Sequence, residues 1–207
     1  KPGAGLRPED IDLSLRRPVG TYQPTVITGV SWVQGSKIDS DQAKAVLGTE
    51  RGALPRTKGL EIRFSGPVWA ETLTEGVIEL RRLHGGRGVR GVISHIEGSY
   101  VDKPASGLID RVHFRDDSGE TLNHGDRVLV TLRSAFVLDR CCKPIDGEHV
   151  GGLVPQLEEY REQDKQYGKR PRGPEPPPCA SRDHHPEPWT SGNGVPGGSF
   201  ESWFFIE

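Results

Sequence analysis

The feature that most constrains this chain is a proline- and glycine-rich stretch directly before an apolar final segment. From Gly168 to Gly198, 31 residues contain 6 glycines and 8 prolines, which favours extended polyproline II backbone with few hydrogen-bond donors. The segment 200–206 is aromatic and apolar, although chain ends usually fray. Its side chains need a sheet to pack into, so the sequence predicts that 153–198 is an insertion before the last strand of a single fold.

The remaining composition predicts one domain with two segments outside its core. Hydrophobic residues make up 33% of the 207 residues, enough for a core that uses only part of the chain. The first 24 residues are polar and carry four prolines, as expected of an arm. We therefore predict an N-terminal arm over 1–24 and one domain over 25–207, with 153–198 as a Pro/Gly-rich excursion.

Charge and hydropathy exclude two classes of partner. The net charge of −2 at pH 7 argues against nucleic acid as the main ligand. No apolar run approaches the ~20 residues of a membrane-spanning helix. The chain has no methionine and no signal-like apolar segment near Lys1, so its beginning does not indicate a compartment.

Alternation of apolar and polar residues predicts several half-buried strands. Residues 60–65 form one, which Gly66-Pro67 should end, and Val112 and Phe114 face inward in another. Short strands with frequent turns favour an all-β sandwich or barrel over alternating βαβ units. Trp32 and Trp203 are assigned to the core. The predicted strands are 60–65, 77–80, 89–96, 111–115, 127–138 and 200–206.

Helix signals are few. Asp39-Ser40 can cap a short helix over 41–47, and Gly48 is placed to end it. Pro155 can open a second helix that runs to Tyr167. The sequence therefore predicts few and short helices beside the strands.

The order of these motifs resembles the bacterial Ig-like domain of the SbsA type, an E-set-like β-sandwich of surface-layer and other extracellular bacterial proteins. The resemblance covers about 60–150 and 199–207, and it departs from the family in the long insertion. The matching motifs are Ile62 to Val68 (IRFSGPV), Leu73-Thr74, Val77 to Leu80, Leu122 to Leu132, Leu138-Asp139, Asp146-Gly147 and Trp203 to Phe205.

The resemblance implies an all-β, Ig-like/E-set-like antiparallel sandwich and a module without enzymatic activity or cofactor. We expect a structural or protein-interaction role in a bacterial extracellular or multi-component assembly, such as an appendage or a phage-tail-like particle. Its partners would be other proteins of the assembly or surface glycans. An extracellular or cell-surface location is favoured, and a cytoplasmic assembly stays open.

The cysteines and the nearby histidines leave three readings open. Cys141 or Cys142 can bridge to Cys179 and tie the insertion to the end of a strand. The thiols can also be free, because the compartment decides their redox state. In the third interpretation, Cys179, His184 and His185 bind zinc together with Cys141 or Cys142, as in a metal-dependent enzyme.

Acidic and glycine-rich motifs mostly indicate turns. Asp139, Asp146, Glu148 and His149 cluster around one turn and offer oxygen ligands for calcium, but Asp146-Gly147 is a common β-turn pair. Asp116 with Asp117 or Glu120 offers a carboxylate pair for glycoside hydrolysis, against the simpler reading of a solvated turn. The basic run Arg81, Arg82, Arg87 and Arg90 is read as a solvated hairpin tip. Gly86-x-Gly88-x-x-Gly91 matches a dinucleotide motif, but its context predicts a hairpin turn.

Two tryptophans suggest an alternative function. Trp69 follows the Pro67-Val68 turn, and Trp189 lies on the glycine-rich insertion near His184 and His185. An aromatic ring on such a loop can stack on a sugar or anchor a protein, and it can equally pin the loop to the domain. A carbohydrate-binding module that uses Trp69 or Trp189 is therefore the alternative to a protein-interaction module.

Overall fold

The computed structural model describes residues 23–49, 58–86, 88–148, 156–160 and 191–207, and over these residues it is mostly β. No helix among them is long and apolar enough to cross a membrane. The elements in chain order are β1 (Ile27–Val30), β2 (Lys37–Ile38), α1 (Ser40–Leu47), β3 (Leu60–Trp69), β4 (Ile78–Leu83), β5 (Ile93–Ile96), β6 (Gly98–Val101), β7 (Leu108–Asp116), β8 (Arg127–Leu132) and β9 (Phe200–Ile206).

These strands form two sheets. The four-stranded sheet has the order β1-β3-β7-β6, and the five-stranded sheet has the order β2-β9-β8-β4-β5. The ladders are antiparallel except at one edge, where β2 pairs with β9 in parallel and Lys37 lies opposite Phe205. The expectation of an antiparallel sandwich therefore does not hold at this edge. No hairpin joins β2 to β9, so chain connection does not force an antiparallel pairing.

Both sheets contribute to one hydrophobic core. The alternation read from the sequence puts the apolar side chains of β3 and β7 on one face, and Val112 and Phe114 are 3% and 5% exposed, as predicted. The other sheet contributes the inward-facing apolar side chains of its own strands. The fully or nearly fully buried members include Ile27, Leu60, Ile62, Leu80, Val128, Val130, Leu132, Phe200, Phe204 and Ile206.

Helix α1 confirms the capping prediction. The Asp39 carboxylate accepts hydrogen bonds from the backbone N–H of Asp41 and Gln42, and the Gln42 side chain accepts one from the Asp39 N–H. Gly48 ends the helix at φ 75°, a left-handed conformation that glycine adopts without a Cβ clash. Local chemistry therefore fixes both ends of this helix.

The predicted end of the strand 60–65 differs from the structure. β3 does not stop at Gly66-Pro67 but continues to Trp69, because its register against β7 shifts between Arg63 and Val68. At such an irregularity a proline does not need to donate a ladder hydrogen bond. The Pro67 carbonyl still accepts a hydrogen bond, from the Arg140 N–H at 3.1 Å.

The predicted strands 127–138 and 89–96 are both shorter than expected. β8 ends at Leu132 and is followed by a 3-10 turn over Ser134–Phe136, in which the Val137 N–H bonds to the Ser134 carbonyl. The return strand β5 begins only at Ile93, since the preceding residues form the turn of a hairpin. Its antiparallel pairing with β4 confirms the hairpin reading of the glycine-rich motif.

The assignment of Trp203 to the core is wrong, whereas that of Trp32 is confirmed. Along β9 the inward positions are Phe200, Ser202, Phe204 and Ile206, and Trp203 lies on the opposite, outer face. Trp32 is 2% exposed, and its Nε1–H donates to the Ser202 hydroxyl at 2.9 Å. This hydrogen bond explains why a serine occupies an inward position of the last strand.

The predicted helix from Pro155 to Tyr167 is described only in part. Residues 158–160 are helical, and the Tyr160 N–H bonds to the Leu157 carbonyl at 3.0 Å. Pro155 and 161–167 lie outside the described residues, as do the arm over 1–22 and most of the excursion.

Candidate functional site

The short segment 156–160 lies against β1. The Leu157 N–H donates to the Val30 carbonyl at 2.9 Å, and Gln156 forms a parallel bridge with Val30. Leu157 is 8% exposed. Backbone pairing and a buried leucine therefore hold this part of the excursion on the edge of the four-stranded sheet.

Beside this segment, the outer face of the four-stranded sheet carries a cluster of charged side chains, which we call the charged face: Glu61, Arg63, Arg111 and His113. Glu61 is 4% exposed, although it points away from the core. Its carboxylate accepts hydrogen bonds from Arg63 at 2.8 Å and from the Tyr160 hydroxyl at 2.8 Å. His113 Nε2 lies 3.3 Å from the same carboxylate and Arg111 lies 3.8 Å away.

These contacts set the protonation of the charged face. Burial by itself would raise the pKa of Glu61, but hydrogen bonds from His113, Arg63 and Tyr160 outweigh it and lower that pKa to about 2. Burial and the hydrogen bond to Glu61 raise the pKa of Tyr160 well above its usual range. At neutral pH Glu61 is thus an ionised acceptor, and a carboxylate with so low a pKa is a weak general base. The arrangement is suited to holding 156–160 in place.

A second buried carboxylate holds the segment 191–198. Asp146 is 1% exposed, and its side chain accepts hydrogen bonds from the backbone N–H of Asn193 at 3.1 Å and of Gly194 at 2.6 Å. Gly192 has φ 108°, and a Cβ at this position would lie 2.8 Å from an Asp146 carboxylate oxygen. The prediction of an Asp146-Gly147 turn is wrong, because Asp146 instead bridges in parallel to Val26 and Gly197.

Both ends of the excursion meet on the same strand. Ser191 donates its N–H to the Ile27 carbonyl at 2.9 Å, and its hydroxyl accepts from the Ile27 N–H at 2.7 Å. Leu157 bonds to Val30, three residues further along β1. At about 3.3 Å per residue these two attachment points are roughly 10 Å apart. The excursion therefore leaves and rejoins the fold at neighbouring points on β1.

The outer face of the five-stranded sheet has a different composition. Leu83, Leu129, Trp203 and Phe205 are partly exposed there, and Ile93 is 54% exposed. We call these five side chains the apolar face. The strand register places Ile93, Leu83 and Phe205 in one row with Arg127, and Leu129 and Trp203 in the next row with Arg81 and His95. None of the five belongs to the hydrophobic core.

Two arginines lie among the side chains of the apolar face. The Arg127 guanidinium lies over the Phe205 ring, 4.6 Å from its centre, a favourable cation–π arrangement. Arg81 donates to the Thr131 hydroxyl at 3.3 Å and lies 3.8 Å from Glu79. Gly35 is next to Trp203, whose carbonyl accepts its N–H at 2.7 Å. The face thus combines aromatic rings, aliphatic side chains and arginines.

The prediction of a solvated basic hairpin tip is wrong for Arg82. Arg82 is 5% exposed and points inward, where it donates to the Asp126 carboxylate at 2.7 Å. The same carboxylate accepts the N–H of Gly85 and of Asn123, and these bonds outweigh burial and lower the pKa of Asp126. Arg90 is exposed, as expected, whereas Arg87 lies outside the described residues.

Of the residues proposed from the sequence for binding, Trp69 is described and Trp189, His184, His185 and Cys179 are not. Trp69 is partly exposed at the end of β3. Its Nε1 is buried and has no hydrogen-bond partner among the described residues. A stacked sugar would therefore find no donor at this ring.

Cys141 and Cys142 are exposed, and they form no disulfide with each other or with another described residue. A pairing with Cys179 stays a prediction, since that residue is not described. Both cysteines lie in a tight turn in which the Asp139 carboxylate accepts the N–H of Cys141 and of Lys143. This turn confirms the turn reading for Asp139.

The other acidic candidates are bound by their neighbours. Asp116 accepts from the Ser118 N–H and hydroxyl, Asp117 pairs with Arg115 at 2.8 Å, and Glu120 lies 3.5 Å from Arg82. Glu148 is exposed and His149 is not described. Within the described part of the chain, no group of three or more His, Cys, Asp or Glu side chains has the geometry to hold a metal ion.

Both faces were missed by reasoning from the sequence. Glu61, Arg63 and His113 occupy the polar positions of alternating strands, which normally point to solvent. Tyr160 reaches Glu61 from 99 residues away, and no local pattern predicts such a contact. Trp203 was assigned to the core because both alternating sets of β9 contain aromatic residues. No family model, no curated protein and no solved structure matches the chain.

Proposed function

We propose that this chain is a non-enzymatic interaction module of a multi-component assembly, and that it binds another protein through the apolar face. The observation that carries the proposal is that Trp203, Phe205, Leu129 and Leu83 all lie on the outside of the five-stranded sheet, with Trp203 directly opposite Leu129. Contiguous exposed apolar side chains usually mark a contact surface.

The composition of the face supports a protein partner. Aromatic residues and arginine are enriched at the centre of protein interfaces, whereas isolated lysine and glutamate side chains are depleted there. Trp203, Phe205, Arg127 and Arg81 fit this pattern. A rigid sheet also presents them without the entropy cost of ordering a loop.

The charged face supports the same proposal by contrast. Its carboxylate is already bound by Arg63, His113 and Tyr160, so its polar groups are used within the chain. We assign it a structural role, in which it fixes one end of the excursion on the domain. The two sheets with a shared core are consistent with an Ig-like, E-set-like sandwich, and an assembly role follows from that resemblance.

Cross-linking tests the proposal, because Lys37 is in the same row as Phe205 and its side chain is 68% exposed. In cells of the source organism, an amine-reactive cross-linker should join Lys37 to a second polypeptide. The double variant Trp203→Ser/Phe205→Thr should abolish these cross-links, while those of the exposed Lys143 remain. Unchanged Lys37 cross-links in the variant would refute a contact at the apolar face.

A carbohydrate-binding module is the second candidate, now favoured at a different place from the one predicted. Trp203 lies next to Gly35 on the outer face of the sheet, an arrangement that can stack on a sugar ring. A glycan array with the wild type and Trp203→Ala separates the two functions. Glycan binding that is lost in Trp203→Ala supports the carbohydrate-binding function. If no glycan on the array binds the wild type, the protein-binding function is favoured.

A further inference from the structure

We propose that two copies of this chain pair along their β5 strands, antiparallel and around a twofold axis, with Ile93 of one copy opposite His95 of the other. The contact would join the two five-stranded sheets at their edges. The inference goes beyond the proposed function, because it uses the edge of the sheet and leaves Trp203 and Phe205 exposed. It begins from the position of β5, which is the last strand of its sheet and has no second ladder partner among the described residues.

The ladder with β4 shows which backbone groups of β5 are open. The His84 N–H donates to the Val92 carbonyl at 2.9 Å, so the even-numbered residues of this strand bond to β4. In an antiparallel ladder the bonding groups alternate between the two sides of a strand. The N–H and carbonyl groups of Ile93 and His95 therefore point to the open edge.

These two residues select one register. When Ile93 lies opposite the second copy's His95, the twofold axis also places His95 opposite the second copy's Ile93. Each of these pairs can then exchange two backbone hydrogen bonds. A shift by two residues in either direction keeps only one such pair and brings Glu97 or Gly91 into the other. The Glu97 carbonyl and the Gly91 N–H are already bonded within the chain, at 2.8 and 2.9 Å.

The same register covers the exposed apolar side chains of the edge. Val92 and Ile93 are 53% and 54% exposed, and an open apolar edge readily pairs with another chain. On the inner side, Val92 would lie opposite the second copy's Ile96, which is 1% exposed at the border of the core. On the outer side, Ile93 would pack beside the imidazole of His95. Pairing would therefore remove apolar surface from water on both sides of the strand.

The charges of the outer face do not oppose a second copy. Near β5 this face carries Arg81 and His95 together with Glu79, and the exposed Glu97 follows the strand. Arg81 lies 3.8 Å from Glu79, so its charge is already balanced. In the proposed register each His95 faces an isoleucine, and no like charges lie directly opposite each other.

The two ends of β5 carry opposite charges. Arg90 is exposed in the turn before the strand, and Glu97 is exposed directly after it. In an antiparallel pair, the beginning of one strand lies beside the end of the other. Arg90 of each copy would therefore come close to Glu97 of the other copy. The edge is self-complementary in charge, as a twofold contact requires.

This geometry has a consequence for the apolar face. Residues that are directly opposite in an antiparallel pair point to the same side of the sheet, so the outer faces of both copies would lie on one side. The two apolar faces would form one continuous surface, joined through Ile93. A twofold contact is also closed, so it stops at two copies. A partner of the assembly could then bind both copies at once.

Sedimentation equilibrium of the full 207-residue chain over a wide concentration range, at low salt, tests the inference. The average mass should rise from 22.7 kDa to twice that value and stop there. The variant Trp203→Ser/Phe205→Thr should dimerise as the wild type does, and loss of its dimer would move the contact to the apolar face and overturn the inference. A mass of 22.7 kDa at every concentration would also overturn it, whereas the Lys37 cross-linking test would be unaffected.

Charge reversal tests the register. Arg90→Glu alone and Glu97→Arg alone should each weaken dimerisation about tenfold at low salt, because each change creates two like-charge contacts in one dimer. The double variant Arg90→Glu/Glu97→Arg should restore it. Glu201→Arg is the matched control: it changes the same charge at an exposed position of β9, three strands from β5, and should dimerise normally. A double variant as weak as the single variants would contradict the register.

A proline at the edge tests the backbone pairing. His95→Pro removes an N–H that points away from β4, and proline is tolerated on an edge strand when its missing N–H faces solvent. The monomer should keep the circular dichroism spectrum of the wild type, while dimerisation is lost. Dimers of His95→Pro that are as stable as those of the wild type would contradict pairing through this strand.

Amide hydrogen exchange resolved by residue reports the contact itself. The amides of Ile93 and His95 should exchange fast in dilute samples and become protected as the concentration rises. The amides of Ser94 and Ile96 face β4 and should change less. Protection of Ile93 and His95 that is the same at every concentration would mean that the edge is covered within one copy, which would overturn the inference.

Discussion

The outer faces of the two sheets differ in what they are built from and in what covers them. On the four-stranded sheet, Glu61, Arg63 and His113 bind one another, and the segment 156–160 lies beside them with Tyr160 bonded to Glu61. On the five-stranded sheet, Trp203, Phe205 and their neighbours remain partly exposed. The charged residues are bound to one another within the chain, whereas the apolar ones have no covering segment among the described residues. On our proposal, the apolar face is therefore the contact surface, and polarity alone would not identify it.

The largest effect is expected from breaking the charged face. Glu61→Ala removes the shared acceptor of Arg63, His113 and Tyr160, so it leaves buried polar groups unpaired. We expect a loss of about 3 kcal/mol in the free energy of unfolding, measured by urea denaturation. Arg127→Ala on the other sheet is the matched control and should cost less than about 1 kcal/mol. Equal losses for the two variants would contradict the assignment of the charged face to structure.

Lowering the pH should reduce the stabilisation that Glu61 gives the charged face. A Glu side chain titrates near 4.5 in the unfolded chain, and the pKa of Glu61 in the fold is about 2. The stabilisation is therefore complete above pH 4.5 and is lost as the pH falls towards 2, with a total of about 3 kcal/mol. Glu61→Gln carries no titrating group at this position, so its stability should fall less steeply over this range. Parallel pH profiles for the wild type and Glu61→Gln would rule out this coupling.

Adjacent residues of β8 allow a direct comparison of core and apolar face. Val130 is fully buried, and Leu129 is partly exposed on the outer side. Val130→Thr buries a hydroxyl and should cost about 2 kcal/mol in the free energy of unfolding. Leu129→Thr should cost about half of that or less, because its hydroxyl stays in contact with water. Thermal or urea unfolding measures both, and a larger cost for Leu129→Thr would show that this face is packed.

Tyr160→Phe should have an effect that is small and also confined to one segment. This change removes one hydrogen bond to Glu61 and keeps the ring, so the expected loss is about 1 kcal/mol. Since Tyr160 belongs to the segment 156–160, the loss should be local. Hydrogen exchange at the Leu157 amide should accelerate, while the amides of β8 keep their protection. Uniform acceleration throughout the chain would mean that the segment is part of the cooperative core.

The parts of the fold that local chemistry decides could be predicted from the sequence. Asp39 and Gly48 gave the ends of α1, and alternation gave β3 and β7 with Val112 and Phe114 inside. The register of β9 could not be predicted in this way. Both of its alternating sets contain aromatic residues, and the choice depends on Ser202, which accepts a hydrogen bond from Trp32 170 residues away. A shift by one residue exchanges the two faces of a strand.

The charged face and the Asp146 contact could not be predicted from the sequence for a related reason. Glu61 meets His113 and Tyr160, and Asp146 meets Asn193 and Gly194, only after long loops have closed. In the sequence, Glu61 looks like any solvent-facing strand residue and Asp146-Gly147 looks like a turn. A distant segment buries each carboxylate, so both interpretations change. No local spacing in the sequence predicts this burial.

Hydroxyl-radical footprinting tests the central claim most directly, by comparing the chain in cells of its source organism with the purified chain at low concentration. Oxidation of Trp203 and Phe205 should fall several-fold in the cells, because a partner covers the apolar face there. Oxidation of Tyr160 and His113 should be the same in both samples, because their contacts lie within the chain. Equal oxidation of Trp203 in the two samples, or protection confined to Tyr160 and His113, would contradict the account.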